Sequence, residues 1–196
     1  MAPITRVSEG LHAALLLARG RPDGLQVLAA RDEPTTTTAV RSFWAVALCL
    51  PAFVCLQLID LAQDPHASAG AAHGMALRLI GYVIGWAGFA VLSHSIARAM
   101  GRSEAWPRFI AAYNWCNVVQ YLLLVTAALP PLLHLPDIIG ETAFVVAAGW
   151  AIWLEWYVGR LALEISGLQA TALVLLDLAL AFGIDAVINA LTLGAV

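Results

Sequence analysis

The residues of this chain that could do chemistry lie where chemistry is costly. Asn114, Asn117 and Gln120 recur at a spacing of three in FIAAYNWCNVVQYLLLV, residues 109–125, a stretch otherwise apolar enough for lipid. Asp177 and Asp185 stand in another long apolar stretch. Residues three apart share a helix face, and each amide both donates and accepts hydrogen bonds. An ionised aspartate at mid-bilayer costs roughly 3 kcal/mol or more. Amide donors would lower that cost, as would protonation of Asp177. The expected arrangement therefore has Asn114 or Asn117 facing Asp177 between helices.

Two chemistries fit such a cluster. The first is cohesion, since interhelical hydrogen bonds join membrane spans for about 0.6–2 kcal/mol each. The second is a proton or ion path through Asp177, Asp185 and the amides, because buried carboxyl groups recur in pumps. The sequence carries no evident inverted repeat or broken helix pair of the kind carriers use. Small residues offer close helix contacts at Gly81/Gly85 and at Ala179/Gly183.

Other chemistries find little footing. Haem b between spans would want two facing histidines, and only His94 lies in an apolar stretch. His66, His73 and His134 lie near Asp64 and Asp137 but lack metal-ligand spacing. Cys49, Cys55 and Cys116 have no CxxC partner and read as packing residues. No Ser/His/Asp order, phosphate loop or HExxH motif is present. The expectation is a protein that is not an enzyme, has no cofactor and binds no nucleic acid.

The elements that must position these residues follow from composition. Of 196 residues, 61% are hydrophobic and 12% charged, where a soluble domain holds about a quarter charged. The apolar residues fall in blocks of roughly 20, the length that crosses ~30 Å of hydrocarbon. Five spans are expected, about 43–62, 75–97, 108–129, 138–158 and 168–193. Pro51 should kink the first, and prolines 130, 131 and 136 confine the turn before the fourth. The fold class is all-α: a membrane bundle of five helices (43–196) preceded by a cytoplasmic amphipathic segment (1–42).

Charge orients the bundle. All ten basic residues are arginines, a bias that fits a GC-rich bacterial genome. Nine fall before the first span, around the second link or after the fourth span, and only Arg78 falls toward the other side. By the positive-inside rule the N-terminus is cytoplasmic and the C-terminus outside. No apolar core precedes residue 43, so the first span is expected to act as an uncleaved insertion signal. Counted at ~1.5 Å per residue, Asn117 and Asp177 both lie ~14 Å in, with Asp185 ~12 Å further out. Glu155, His94 and Tyr157 fall near the inner interface by the same count.

The first 42 residues carry apolar positions at helical spacing from Ile4 to Ala18, ended by Gly20 and an Arg-Pro-Asp-Gly turn. Such a helix suits the membrane surface or a cap packed beneath the bundle, and the residues leave both open. The run Thr35 to Thr38 is expected to link and cap the first span.

Three patches carry a family resemblance: RGRPDGLQVL at 19–28, RSFWAVALCLPAF at 41–53 and RFIAAYNWCNVVQ at 108–120. With five spans after an N-terminal segment, the chain resembles the Yip (Ypt-interacting protein) family, in particular its short bacterial members. In eukaryotes that family implies small-GTPase partners and membrane traffic. The acidic and Gly-Pro motifs of the eukaryotic N-terminal region are not evident here, so those partners are not carried over. The resemblance implies the five-helix fold and a non-enzymatic role through contacts. The resulting expectation is a multi-pass protein of a bacterial inner membrane, touching lipid and another membrane protein as scaffold or accessory subunit of a complex. The alternative is a small ion-coupled transport element.

Overall fold

The computed structural model describes residues 3–29, 35–63 and 71–193. Two short helices come first, α1 (Pro3–Ala18) and α2 (Asp23–Ala29). Then follow α3 (Thr35–Ser42), α4 (Trp44–Gln63), α5 (Ala71–Ala99) and α6 (Trp106–Ala127). A 3-10 turn (Pro130–Leu133) leads to α7 (Asp137–Leu163) and α8 (Gly167–Leu193). Five stretches are long and apolar enough to cross a membrane: Thr35–Gln63, Ala72–Ala99, Trp106–Leu133, Asp137–Leu163 and Gly167–Thr192. The all-α, five-span expectation matches.

The first span starts earlier than expected. Thr35–Ser42 is helix, separated from α4 only by a turn at Phe43. The threonines are thus no extended linker. Ala39 and Ser42 are buried because α3 packs on α6, and that tertiary contact outweighs the modest helix propensity of threonine.

Local signals set the ends. Gly101 takes φ +70° after α5, and the Arg102 N–H returns to the Ala97 carbonyl at 2.7 Å. Gly20 does the same after α1, with φ +73° and its N–H on the Leu17 carbonyl. Before α8, Ser166 Oγ accepts from the Gln169 N–H and Gln169 Oε1 accepts from the Ser166 N–H at 3.0 Å, a reciprocal capping box.

Helix α6 is the hub. Residues Phe109–Cys116 are buried throughout, because α1, α3, α4 and α7 all pack against this helix. The amphipathic α1 is a packed cap: Ala13, Ala14 and Leu17 are fully buried, and Gly10 lies against the Trp115 ring. Its His12 and Leu15 face outward, as does Arg19 in the turn that follows. Tyr157 ties the cap down by donating to the Gly20 carbonyl at 2.8 Å. Arg108 pins the same end of the bundle. Its guanidinium donates to the last-turn Ala162 carbonyl of α7 at 2.9 and 2.6 Å and to Glu164 at 2.7 Å.

Helix α5 belongs to a different pairing, antiparallel to α8. Gly81 lies against Ile184 and Ile188, Gly88 against Leu180 and Gly74 near Thr192. The spacing of seven presents a flat glycine face to one partner, which lets the two backbones approach. The outer surface of the bundle is apolar: Leu122, Ile138, Val145, Leu175 and Phe182 are all more than half exposed, as helices bathed in hydrocarbon require.

Candidate functional site

The polar side chains gather along a lateral groove of about 250 Å³ between α4, α5, α6 and α8. Each helix supplies one face to it. On α5 these are Arg78, Gly81, Tyr82, Gly85 and Trp86, at the spacing of one helical stripe. On α8 they include Asp177, Ala181 and Asp185, on α6 Tyr113, Asn117 and Tyr121, and on α4 Phe53 and Gln57. Tyr82 packs edge-on to both Trp86 (6.1 Å) and Tyr121 (6.3 Å), giving the groove an aromatic wall. The Tyr82 hydroxyl is anchored on the Val46 carbonyl at 2.6 Å, next to the carbonyl that Pro51 leaves without its helical N–H.

At the base, Tyr113 donates its hydroxyl to Asp177 Oδ1 at 3.1 Å. Phe89 stacks on the Tyr113 ring at 4.3 Å and fixes its position. Glu155 of α7 lies near this pair, buried, with Oε1 lacking a hydrogen-bond partner. The count along the helix put Glu155 near the inner interface. The structure brings it to the aspartate because α7 leans on α6, and no spacing within α7 signals this.

The amides behave differently from the expected arrangement. Asn114 is fully buried and donates to Ser42 Oγ at 2.8 Å, joining α6 to α3. Asn117 lines the groove but donates to the Tyr113 carbonyl of its own helix at 3.1 Å. Gln120 donates to the Ala151 carbonyl of α7 at 2.9 Å. Among the described residues no amide of α6 bonds to Asp177, and the donor to that carboxyl is a phenol. The physical reason is rotation: residues three apart step by about 300°, so 114, 117 and 120 wind across α6, Asn114 reaching α3 and Gln120 reaching α7. Tyr113 precedes Asn117 by four, the spacing that could have pointed to it.

Arg78, the exception to the charge pattern, proves to be the centre of a small ion cluster. Its guanidinium lies 3.8 Å from Asp185 and 4.0 Å from Asp60. Asp185 also accepts from Asn189 one turn on, at 3.0 Å. Asp185 therefore belongs to the mouth of the groove and not to the Tyr113–Asp177 base.

The small-residue pairs divide as well. Gly81 and Gly85 face α8, while Gly183 has open space before it and Ala179 is exposed, so that second pair makes no close contact inside the bundle. His94 packs edge-on to Trp106 at 4.9 Å. Asp64 and His66 lie outside the described residues; His73 and His134 are exposed. Cys49 and Cys116 are buried and free.

Five apolar helices of membrane length, with α4 and α7 packed on α6 and α5 paired with α8, capped at one end by an N-terminal helix, define a multi-pass helical membrane protein. Residues 27–188 match the Yip1 domain, and the chain belongs to that family. No curated protein and no solved structure is a significant match.

Proposed function

We propose that this protein works by contact and not by catalysis, as a scaffold or accessory subunit that engages lipid and another membrane protein. The observation that carries this reading is the use made of its polar groups. Tyr113–Asp177, Asn114–Ser42, Gln120–Ala151 and Arg108–Glu164 join helix to helix, while the outer faces are apolar. Membership of the Yip1 domain family and the resemblance to its short bacterial members support the same role. The arginine pattern orients the bundle with α1 on the cytoplasmic side of a bacterial inner membrane and the Arg78 end outward.

The test is purification of the tagged full-length protein from its own membranes in mild detergent, with mass spectrometry of what accompanies it. One protein recovered in fixed stoichiometry, together with retained lipid, is the expected result. Recovery of the bare chain would sink the proposal.

One arrangement favours the second reading, an ion-coupled transport element: Glu155 lies beside the Tyr113–Asp177 pair and so extends the polar groups toward the capped end. In reconstituted liposomes, proton flux that Asp177→Asn abolishes would establish it. Asp185, Asn114, Asn117 and Gln120 would then be the accessory groups to substitute next.

A further inference from the structure

The mouth of the groove holds charge that the protein itself leaves incompletely satisfied. Arg78 is only 33% exposed, yet among the described residues its guanidinium makes no hydrogen bond, only the two loose ion pairs at 3.8 and 4.0 Å. A guanidinium carries five N–H donors in a fork that matches phosphate oxygens. Beside it, Gln57 lines the same groove and keeps a buried Oε1 with no donor. Asp60 and Asp185 add two exposed carboxylates around the same point. Donors for an anion and acceptors for a cation therefore stand side by side.

Depth narrows the choice of ligand. Arg78 is about 10 Å along α5 from Ala71, and Asp185 about 12 Å from the end of α8 at Leu193. Both helices are longer than the ~30 Å hydrocarbon core, so the cluster lies just beneath the headgroup layer. Arginine at that depth reaches outward to lipid phosphate. A basic side chain from a partner helix would meet Arg78, and an acidic one would meet Asp60 and Asp185. A zwitterion meets neither penalty.

Deepening the contact reading above, and resting on it, we propose that this groove mouth binds the headgroup of an aminophospholipid from the adjacent leaflet. The phosphate sits on Arg78, and the primary ammonium lies between Asp185, Asp60 and Gln57 Oε1. The groove is smaller than the ~300–1,000 Å³ of pockets that enclose whole ligands. It therefore takes the headgroup and leaves the acyl chains in the bilayer.

The experiment is native mass spectrometry of the purified full-length protein in detergent, titrated with phosphatidylethanolamine or phosphatidylglycerol of matched chains. Wild type should retain the ethanolamine lipid about tenfold better. Arg78→Gln should weaken both lipids about tenfold, the scale of a lost charge-assisted contact. Asp185→Asn should weaken only the ethanolamine lipid and so erase the preference. Gln57→Leu, which disturbs no ion pair, should reduce the preference in part and covers the case in which Arg78→Gln fails to fold. Equal retention of the two lipids by wild type, or lipid binding unchanged in the folded variants, would overturn the assignment. Displacement of bound lipid by millimolar inorganic phosphate would overturn the lipid source. Co-purification with a protein partner, read on the same preparations, separates the two proposals. A partner kept without lipid preference sinks the headgroup site alone, and neither partner nor lipid sinks both.

Discussion

Tyr113 of α6 and Asp177 of α8 meet at 3.1 Å through a phenol-to-carboxyl hydrogen bond at the base of a groove within the membrane-spanning bundle. Hydrogen bonds between membrane helices average ~0.6 kcal/mol and reach ~1.7. Tyr113→Phe keeps the stack on Phe89 and deletes only the donor, so it should cost about 0.5–1.5 kcal/mol. Asp177→Asn keeps an acceptor oxygen and should be milder than Asp177→Leu, which strands the phenol. Unfolding in mixed micelles measures all three. Equal losses for the Asn and Leu variants would remove the bond as a determinant of stability.

The α5–α8 seam depends on Gly81. A Cβ there would stand 2.6 Å from Ile188 Cδ1 and 2.8 Å from Ile184 Cγ2. Gly81→Leu should therefore destabilise by about 1–3 kcal/mol, the usual cost of overpacking. Gly183 has nothing within 4 Å of the same position. Gly183→Ala should be neutral or stabilising by up to ~1 kcal/mol, from helix propensity alone. Melting curves of the two variants, side by side, decide the point.

Gly10 gives the Trp115 ring its place beneath α1. Gly10→Leu should lift α1 off the bundle and loosen the backbone of the already exposed Arg19–Arg21 turn. Trypsin would then cut there several-fold faster than in wild type. Leu15→Ala, on the exposed face of the same helix, should leave the cleavage rate unchanged.

Arg108 sets a pH dependence at the α6–α7 end. Its hydrogen bond to Glu164 holds that carboxyl below the ordinary 4.5. A depressed carboxyl stabilises the folded form at pH above its unfolded value. That contribution fades as pH falls through the lower folded value. Stability of wild type should thus drop more steeply on acidification below about pH 4.5 than that of Glu164→Gln. The pair is exposed, so the difference should shrink in high salt. Identical acid profiles for the two proteins would discount the pair.

Much of the fold was legible because lipid imposes a length on every apolar block. The five spans and their order follow from that length, and the Gly81/Gly85 pair marks a genuine contact. The seven-residue recurrence of Gly74, Gly81 and Gly88 is the stronger signal, and it names a single partner face. The first span could not be placed to its residue, because Thr35–Thr38 look like a cap until α6 is there to pack against. The polar residues of the candidate site could be picked out from the sequence, but their pairings could not. Asn114, Asn117, Gln120 and Asp177 do lie in the interior, yet helix rotation sends the amides to α3, to their own backbone and to α7. Arg78 stood out as the one misplaced charge. Only packing reveals that it stands between Asp60 and Asp185, or that Glu155 lies behind Asp177.

The antiparallel seam between α5 and α8 also has a consequence in time. Gly81 and its partner Ile188 are separated by roughly 100 residues of chain, which a ribosome adds in about 5–20 s at ~5–20 residues per second. Throughout that interval α5 is in the membrane with its glycine face uncovered, while α6 and α7 emerge and build the hub. Helix α8, the fifth span, completes the contact that α5, the second span, began. A nascent chain halted before α8 is therefore the form in which this face is open to any other helix nearby.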